Sequence, residues 1–313
     1  MKKFLLLITV RFVVITVTTC AEKKDDTVTL LTHDSFWISE GVFEEFTQQT
    51  GITVEVQMAG DTGQLLASAI LTSSNPSADV IFGIDNTFLQ RALNADIFSV
   101  YESPSLSKVP EEIQLDAQHR VTPIDFGDVC INYWIDSFTS DLPPPESLDD
   151  LIDSKYSGQL VVQNPETSSP GLAFFLATVA EYGDQWELWW TALRDNDVTV
   201  TAGWEDAYEV EFVAGGGEHP LVVSYASSPP AEVIYSETPI NSPPTAVLTD
   251  TCFRQIEFAG VVNGAKNQEA AETLIDFMLS NTFQQDIPNS MLMFPASVSY
   301  THLRAHETRE DRV

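Results

Sequence analysis

The sequence predicts an α/β protein built as two lobes. Three observations carry this. Short β-branched runs alternate with apolar residues at helical spacing along most of the chain, the mark of strands crossed by helices. The length of 313 residues suggests about two domains. An apolar leader opens the chain, and two α/β lobes behind an export leader describe a protein that closes on a solute.

Taken in order, residues 1–20 form the leader. Lys2 and Lys3 are its positive end, and 4–10 with 12–17 its apolar stretch, interrupted by Arg11. The run Val17-Thr18-Thr19-Cys20 resembles a lipobox, which makes Cys20 the candidate for a lipid anchor. The expected destination is the periplasm or the outer face of the cell membrane. No later stretch reaches the roughly 20 apolar residues of a membrane span.

Strands are expected at 27–31, 52–56 and 78–83, with helices at 44–49, 63–72 and 86–93 between and after them. A new extended run begins at 121–128. A helix is expected at 147–152, a strand at 159–162, and helices at 172–182 and 186–193, the last carrying Trp186, Trp189 and Trp190 as packing residues. Strand 198–201, helix 205–210 and strand 221–225 resemble a βαβ unit broken at Ser227-Ser228-Pro229. A late strand at 253–262, a helix at 269–279 and the start of another at 283–285 complete the pattern. Residues 298–313 lack apolar periodicity, and 299–309 within them is basic on an acidic chain, so we read 298–313 as a non-native tail; His302 and His306 within it are not read as metal ligands.

Charge narrows the function. There are 46 acidic against 15 basic residues, a net charge of −31. A nucleic-acid binder needs a basic face, and docking on anionic lipid needs a basic patch; this charge balance argues against both. No Gly-x-Ser-x-Gly, His-Glu-x-x-His or zinc-ligand spacing occurs, and no cofactor is implied. The abundant carboxylates leave a carboxylate-pair hydrolase open as the enzyme alternative. Cys130 and Cys252 lie in strand-like runs; in an oxidising compartment they either pair across adjacent strands, as we expect, or stay as buried free thiols.

The candidate site residues stand at strand ends, where ligands sit in open α/β sheets. Trp204 and Tyr225 end two successive strands, and their rings either face a flat or cationic ligand or belong to the core. Asp34, Ser35, Asp85 and Asn86 follow two earlier strands; the aspartates serve either a cation or the turn as caps. Thr167, Ser168 and Ser169 open a helix, where hydroxyls and free N–H groups suit an alcohol or phosphate, or simply cap it.

These segments form an ordered set: Thr32-His33-Asp34-Ser35-Phe36, Asp79-Val80-Ile81-Phe82-Gly83-Ile84-Asp85-Asn86, Pro123-Ile124-Asp125-Phe126-Gly127, Pro165-Glu166-Thr167-Ser168-Ser169-Pro170, Gly203-Trp204-Glu205-Asp206-Ala207-Tyr208 and Ser224-Tyr225-Ala226-Ser227. The set resembles the thiamine-binding components of bacterial thiamine ABC transporters, within the two-lobed solute-binding proteins, over residues 28–295. The resemblance implies the type II periplasmic-binding-protein fold, with mixed sheets flanked by helices and a ligand cleft between the lobes, a membrane permease as partner and a monomeric protein. It implies lobe 1 from 27–124 plus 259–297 and lobe 2 from 125–258, with chain crossings near 124–127 and 253–260, which sets Cys130 beside Cys252. It makes Trp204, Tyr225 and Tyr208 ring contacts, and it assigns Asp34, Ser35, Asp85, Asn86, Thr167, Ser168, Ser169 and Ser227 to the ligand. A polyamine or ferric ion is the alternative solute, although the adjacent tyrosines common in ferric binders are missing. The sequence departs from the family at His33, where a tyrosine is usual, and near Leu292, where a tryptophan is usual. Met291, Met293 or Phe294 are the residues placed to fill that surface.

Overall fold

The computed structural model describes residues 27–215 and 217–297. The leader, Cys20 and the tail with His302 and His306 lie outside the described residues.

Among the described residues, nine strands form one continuous mixed sheet. They are β1 (Thr27–Thr32), β2 (Thr53–Met58), β3 (Val80–Asp85), β4 (Thr122–Trp134), β5 (Leu160–Gln163), β6 (Thr199–Thr201), β7 (Leu221–Tyr225), β8 (Thr245–Val261) and β9 (Phe294–Pro295). The order is β2-β1-β3-β8-β4-β7-β5-β6, with β9 paired to β4. Strands β1, β2 and β3 run parallel, as do β7, β5 and β6, while β4 and β8 run against their neighbours.

The two long strands explain the shape. β4 is 13 residues and β8 is 17, well above the usual strand of 5–6. Each contributes its two ends to different cores. Ile124, Ile256 and Phe258 pack into a core that contains β1–β3 and the helices α1 (Val42–Thr50), α2 (Thr62–Leu71), α3 (Leu89–Asn94), α7 (Gln268–Met278) and α8 (Asn281–Ser290). Val129, Ile131 and Leu248 pack into a second core with β5, β7, α4 (Ser169–Tyr182) and α5 (Trp186–Asp195). The sheet is thus shared by two lobes, and among the described residues β4 and β8 are the only strands whose buried hydrophobic residues belong to both cores. Trp189 is buried in the second core, and Trp190 donates to Thr178 at 2.8 Å, so the tryptophan-rich helix is packing. Cys130 on β4 and Cys252 on β8 are joined by a disulfide at a register shift between those strands.

Several local expectations are corrected. Residues 147–152 hold only a short 3-10 turn at Asp150–Ile152, because Asp150 accepts from the backbone of Glu146 and Ser147 and ties the chain into a loop. The third helix starts at Leu89, since Asp85 accepts from Thr87 Oγ and the Phe88 N–H and holds 85–88 in a turn. The segment after β6 is a π-helix, Asp206–Val213. β8 begins eight residues earlier than the apolar run, at Thr245 rather than Phe253. Ser228 and Pro229 open a helix instead of ending in a loop: α6 is Ser228–Ile234, with proline in the first turn where its missing N–H costs nothing. The βαβ unit is real but split, because β5 lies between β6 and β7.

Candidate functional site

A cavity of about 200 Å³ lies between the two cores. Its walls come from strand ends and helix starts of both lobes, as the open-sheet rule requires.

Trp204 lies just past β6, and its position is fixed from three sides. Its indole N–H donates to Ser224 Oγ at 2.9 Å, its backbone N–H donates to Asp61 Oδ2 at 3.1 Å, and its ring stacks on Tyr208 at 5.0 Å and 11°. Tyr225, at the end of β7, meets Trp204 edge to face at 6.2 Å and donates to Gln255 Oε1 at 3.2 Å. Ser227 and Ser228 complete that wall.

The opposite wall is formed by His33 and Ser35 after β1, Asp61 and Thr62 at the start of α2, Glu257 on β8, and Met291, Leu292 and Met293 before β9. Gly83 has φ +97°, and a Cβ there would sit 2.3 Å from the His33 ring, so the glycine makes room for the imidazole. Gly127 acts likewise for Met293, whose sulfur would be 2.8 Å from a Cβ. Burial opposes the charge on His33, but Glu257, Asp61 and Asp34 outweigh it and raise the imidazole above its ordinary range. Asp61, Glu205 and Glu257 line the cavity, while no lysine or arginine does among the described residues. The cavity is therefore a negative pocket with an aromatic side.

The lobes touch across the cleft. Asp61, the N-cap of α2, accepts from Thr62 N at 2.6 Å and reaches over to Ser169 N at 3.5 Å and Trp204 N. Burial raises its carboxyl pKa, against the bonds from Ser168, Thr62 and Trp204 and the nearby His33. Gly63 N donates to Thr167 O at 2.8 Å, and a Cβ at Gly63 would lie 2.3 Å from Glu166 O. Such a contact exists only with the cleft closed.

Of the residues singled out from sequence, Ser35, Ser169, Trp204, Tyr225 and Ser227 line the cavity. Six others do not. Tyr208 is buried behind Trp204, with its hydroxyl on Glu232, and supports the indole. Asp85 is fully buried and caps the turn after β3. Burial pushes its carboxyl up to about 7, with Thr87 and Ser169 pulling down and Glu257 pushing further up. Asn86 clips β8 through Arg254 O and Ile256 N. Thr167 donates to the carbonyls of Asn164 and Ala202. Ser168 is the buried N-cap of α4 beside Asp61. Asp34 is exposed, with its backbone tied to Gly60 O. Phe294 stacks on Phe126 at 5.4 Å, so the surface near Leu292 is made by the methionines and Leu292 itself.

Asp61, Thr62, Glu205, Ser228, Glu257 and Ser290 were not anticipated. Two carried signals. Asp61 follows β2 as Asp34 follows β1, in Gly60-Asp61-Thr62-Gly63. Glu257 is a lone charge between Ile256 and Phe258 in an apolar run.

Comparison with known proteins agrees with this geometry. A family model described as bacterial extracellular solute-binding protein matches residues 75–312. A thiamine-binding periplasmic protein of Brucella suis is 31% identical over 91% of this chain and 83% of its own length. That of Escherichia coli K12 is 30% identical over 86% and 81%. A solved periplasmic thiamin binding protein superposes with TM-score 0.75 at 27% identity, covering 87% of this chain and 83% of its own. Iron-bound HitA from Pseudomonas aeruginosa, at 19% identity and TM-score 0.69, shares the fold. The chain belongs to the bacterial extracellular solute-binding proteins, a family of two-lobed binding components of transport rather than enzymes.

Proposed function

We infer that the protein is the exported solute-binding component of an ABC importer and takes thiamine, or its phosphates, in the interlobe cleft. The observation that carries this is the pairing of a fixed aromatic wall, Trp204 and Tyr225, with a lining that holds three carboxylates and no lysine or arginine among the described residues. Thiamine presents an aminopyrimidine, which stacks and donates, and a permanently charged thiazolium. Aromatic faces attract such a cation by about 0.5–2 kcal/mol depending on desolvation. Ser35, Ser169 and Ser227 supply the hydroxyls. Tyr208, Thr167 and Ser168 act by holding the wall and the closing contact rather than by touching the ligand.

In this reading lobe 1 is 27–124 with 259–297, lobe 2 is 125–258, and the cleft closes around β4 and β8. The protein works as a monomer, delivers to a membrane permease from the periplasm, and is tethered there by a lipid on Cys20. The ferric alternative is disfavoured, since no two tyrosines are adjacent in the sequence. Native mass spectrometry of the protein as purified, followed by titration, tests the reading. A bound mass equal to thiamine or a thiamine phosphate is expected. Saturable binding of spermidine with none of thiamine would overturn it in favour of a polyamine.

A further inference from the structure

Beneath the cavity lies a second acidic layer that the aromatic wall does not explain. Asp125 on β4 and Glu257 on β8 are direct register partners, so their side chains leave the same face of the sheet side by side. Glu257 lines the cavity floor and is 5% exposed, while Asp125 is 0% exposed behind it. Neither oxygen of Asp125 has a hydrogen-bond partner, which is costly for a buried carboxyl unless it is neutral or has one supplied. Glu257 Oε1 accepts from Gln255 Nε2 at 3.0 Å, and Gln255 in turn accepts from Tyr225 of the aromatic wall.

The surroundings can be named in full. His33 Nε2 faces Glu257 Oε1 at 3.8 Å, beyond hydrogen-bond length. Asp85 at the end of β3 is a further buried carboxyl near Glu257, Asp61 lines the same wall as Glu257, and exposed Glu205 stands at the rim. Tyr225 and Gln255 are neutral partners, and Gln284 of α8 spends its amide on Ile124 O and Met278 O. No lysine or arginine neutralises the floor among the described residues; Arg254, two residues from Ile256, turns outward to Asp128. Two desolvated carboxyls side by side with no cation between them cannot both ionise.

We propose that Glu257, backed by Asp125, reads the positive charge of the ligand, and that this carboxyl pair holds one proton in the empty protein, which the arriving cation expels to solvent. The proposal rests on the thiamine reading and deepens it. It makes Glu257 the specificity-determining residue and Asp125 the positioning residue that stores the proton. The balance is simple: an O–H bond of the pair breaks, the proton goes to the buffer, and the fixed cation takes its place as counter-charge. Burial first, then the charge of Glu257, holds the Asp125 carboxyl well above its ordinary range, which agrees with the geometry. Because the cation favours the deprotonated pair, affinity rises with pH until the empty protein has lost the proton by itself.

The test is calorimetric titration of the full protein with thiamine in two buffers of different ionisation enthalpy, at about pH 6 and about pH 8. A net release approaching one proton per ligand is expected at the lower pH, with affinity falling about tenfold or more from pH 8 to pH 6. Asp125→Asn should abolish the release, and His33→Gln should retain it. Glu257→Gln should weaken thiamine by about tenfold or more while changing an analogue with a neutral thiophene in place of the charged ring by less than about threefold. Circular dichroism confirms that each variant is folded; the proton count on the unaltered protein stands without any variant. Thiamine binding with no proton released and no pH dependence overturns this inference alone. Release that survives Asp125→Asn and vanishes in His33→Gln assigns the proton to His33 and also overturns it. Failure to bind thiamine at either pH overturns both this inference and the reading beneath it.

Discussion

The two walls of the cleft are built on different principles. On the second lobe, Trp204 is pinned by a stacked tyrosine, a serine and a backbone bond to Asp61 of the facing lobe. On the first lobe and the crossing strand β8, the facing surface is made of an imidazole, two carboxylates and a methionine-leucine-methionine run. Methionine adapts to irregular shapes, and Leu292 sits at φ 58°, a backbone region that side chains other than glycine seldom adopt. One wall therefore supplies a preset shape, and the other supplies charge and compliance. Where the family usually places rings, this chain has His33 and Leu292, so more of the recognition by shape falls on the second lobe.

If that division is right, the largest loss follows from the rigid wall. Trp204→Ala should weaken thiamine binding by more than about tenfold, over about 1.4 kcal/mol, in equilibrium titration. An unchanged affinity would move Trp204 from the site into the core. Next comes the contact between the walls. Gly63→Val puts a branched side chain where even a Cβ would lie 2.3 Å from Glu166 O, so it should hold the lobes apart. Affinity should fall by about tenfold, with small-angle scattering showing a more open molecule when thiamine is added. Equal compaction in the variant and the parent protein would refute the closure contact.

A third prediction separates stability from binding. Burial holds Asp85 up to about 7, above its unfolded value of 3.8. A raised carboxyl binds its proton more tightly in the folded state, so its contribution is complete below pH about 4 and is lost as pH climbs to about 7. Denaturant unfolding should show that decline, on the order of 1 kcal/mol per pH unit, and Asp85→Asn should flatten it. A slope identical in the variant would assign it elsewhere. The smallest effect belongs to the supporting ring. Tyr208→Phe keeps the stack on Trp204 and loses only the hydroxyl bond to Glu232. It should cost about 1 kcal/mol of stability and less than about threefold in affinity. A larger loss of affinity would bring Tyr208 into the site.

The elements with strong periodicity were legible from sequence: β1, β7, α2 and the tryptophan-rich α5 lie within a few residues of their apolar runs. So was the rule that strand ends build the site, which pointed to Trp204 and Tyr225, while Ser35, Ser169 and Ser227 came with the family resemblance. The rule could not say which strand-end aspartate faces inward. Asp34, Asp61 and Asp85 occupy equivalent places after β1, β2 and β3, yet Asp34 turns to solvent, Asp85 caps its own turn, and Asp61 crosses the cleft. That choice depends on how the second lobe approaches, which is not local. Glu257 was hidden for another reason. Its exposure is governed by the pairing of β8 with β4, and its alternation in the strand reads the same whether the face meets a core or a cavity.

The most direct test of the central claim follows tryptophan fluorescence during a thiamine titration. The chain has six tryptophans, of which only Trp204 lines the cavity. Thiamine should quench the parent protein saturably, and Trp204→Phe should lose most of that quenching while calorimetry still detects weakened binding. Full quenching in the variant, or none in the parent protein despite measured binding, would place the ligand away from this cleft wall.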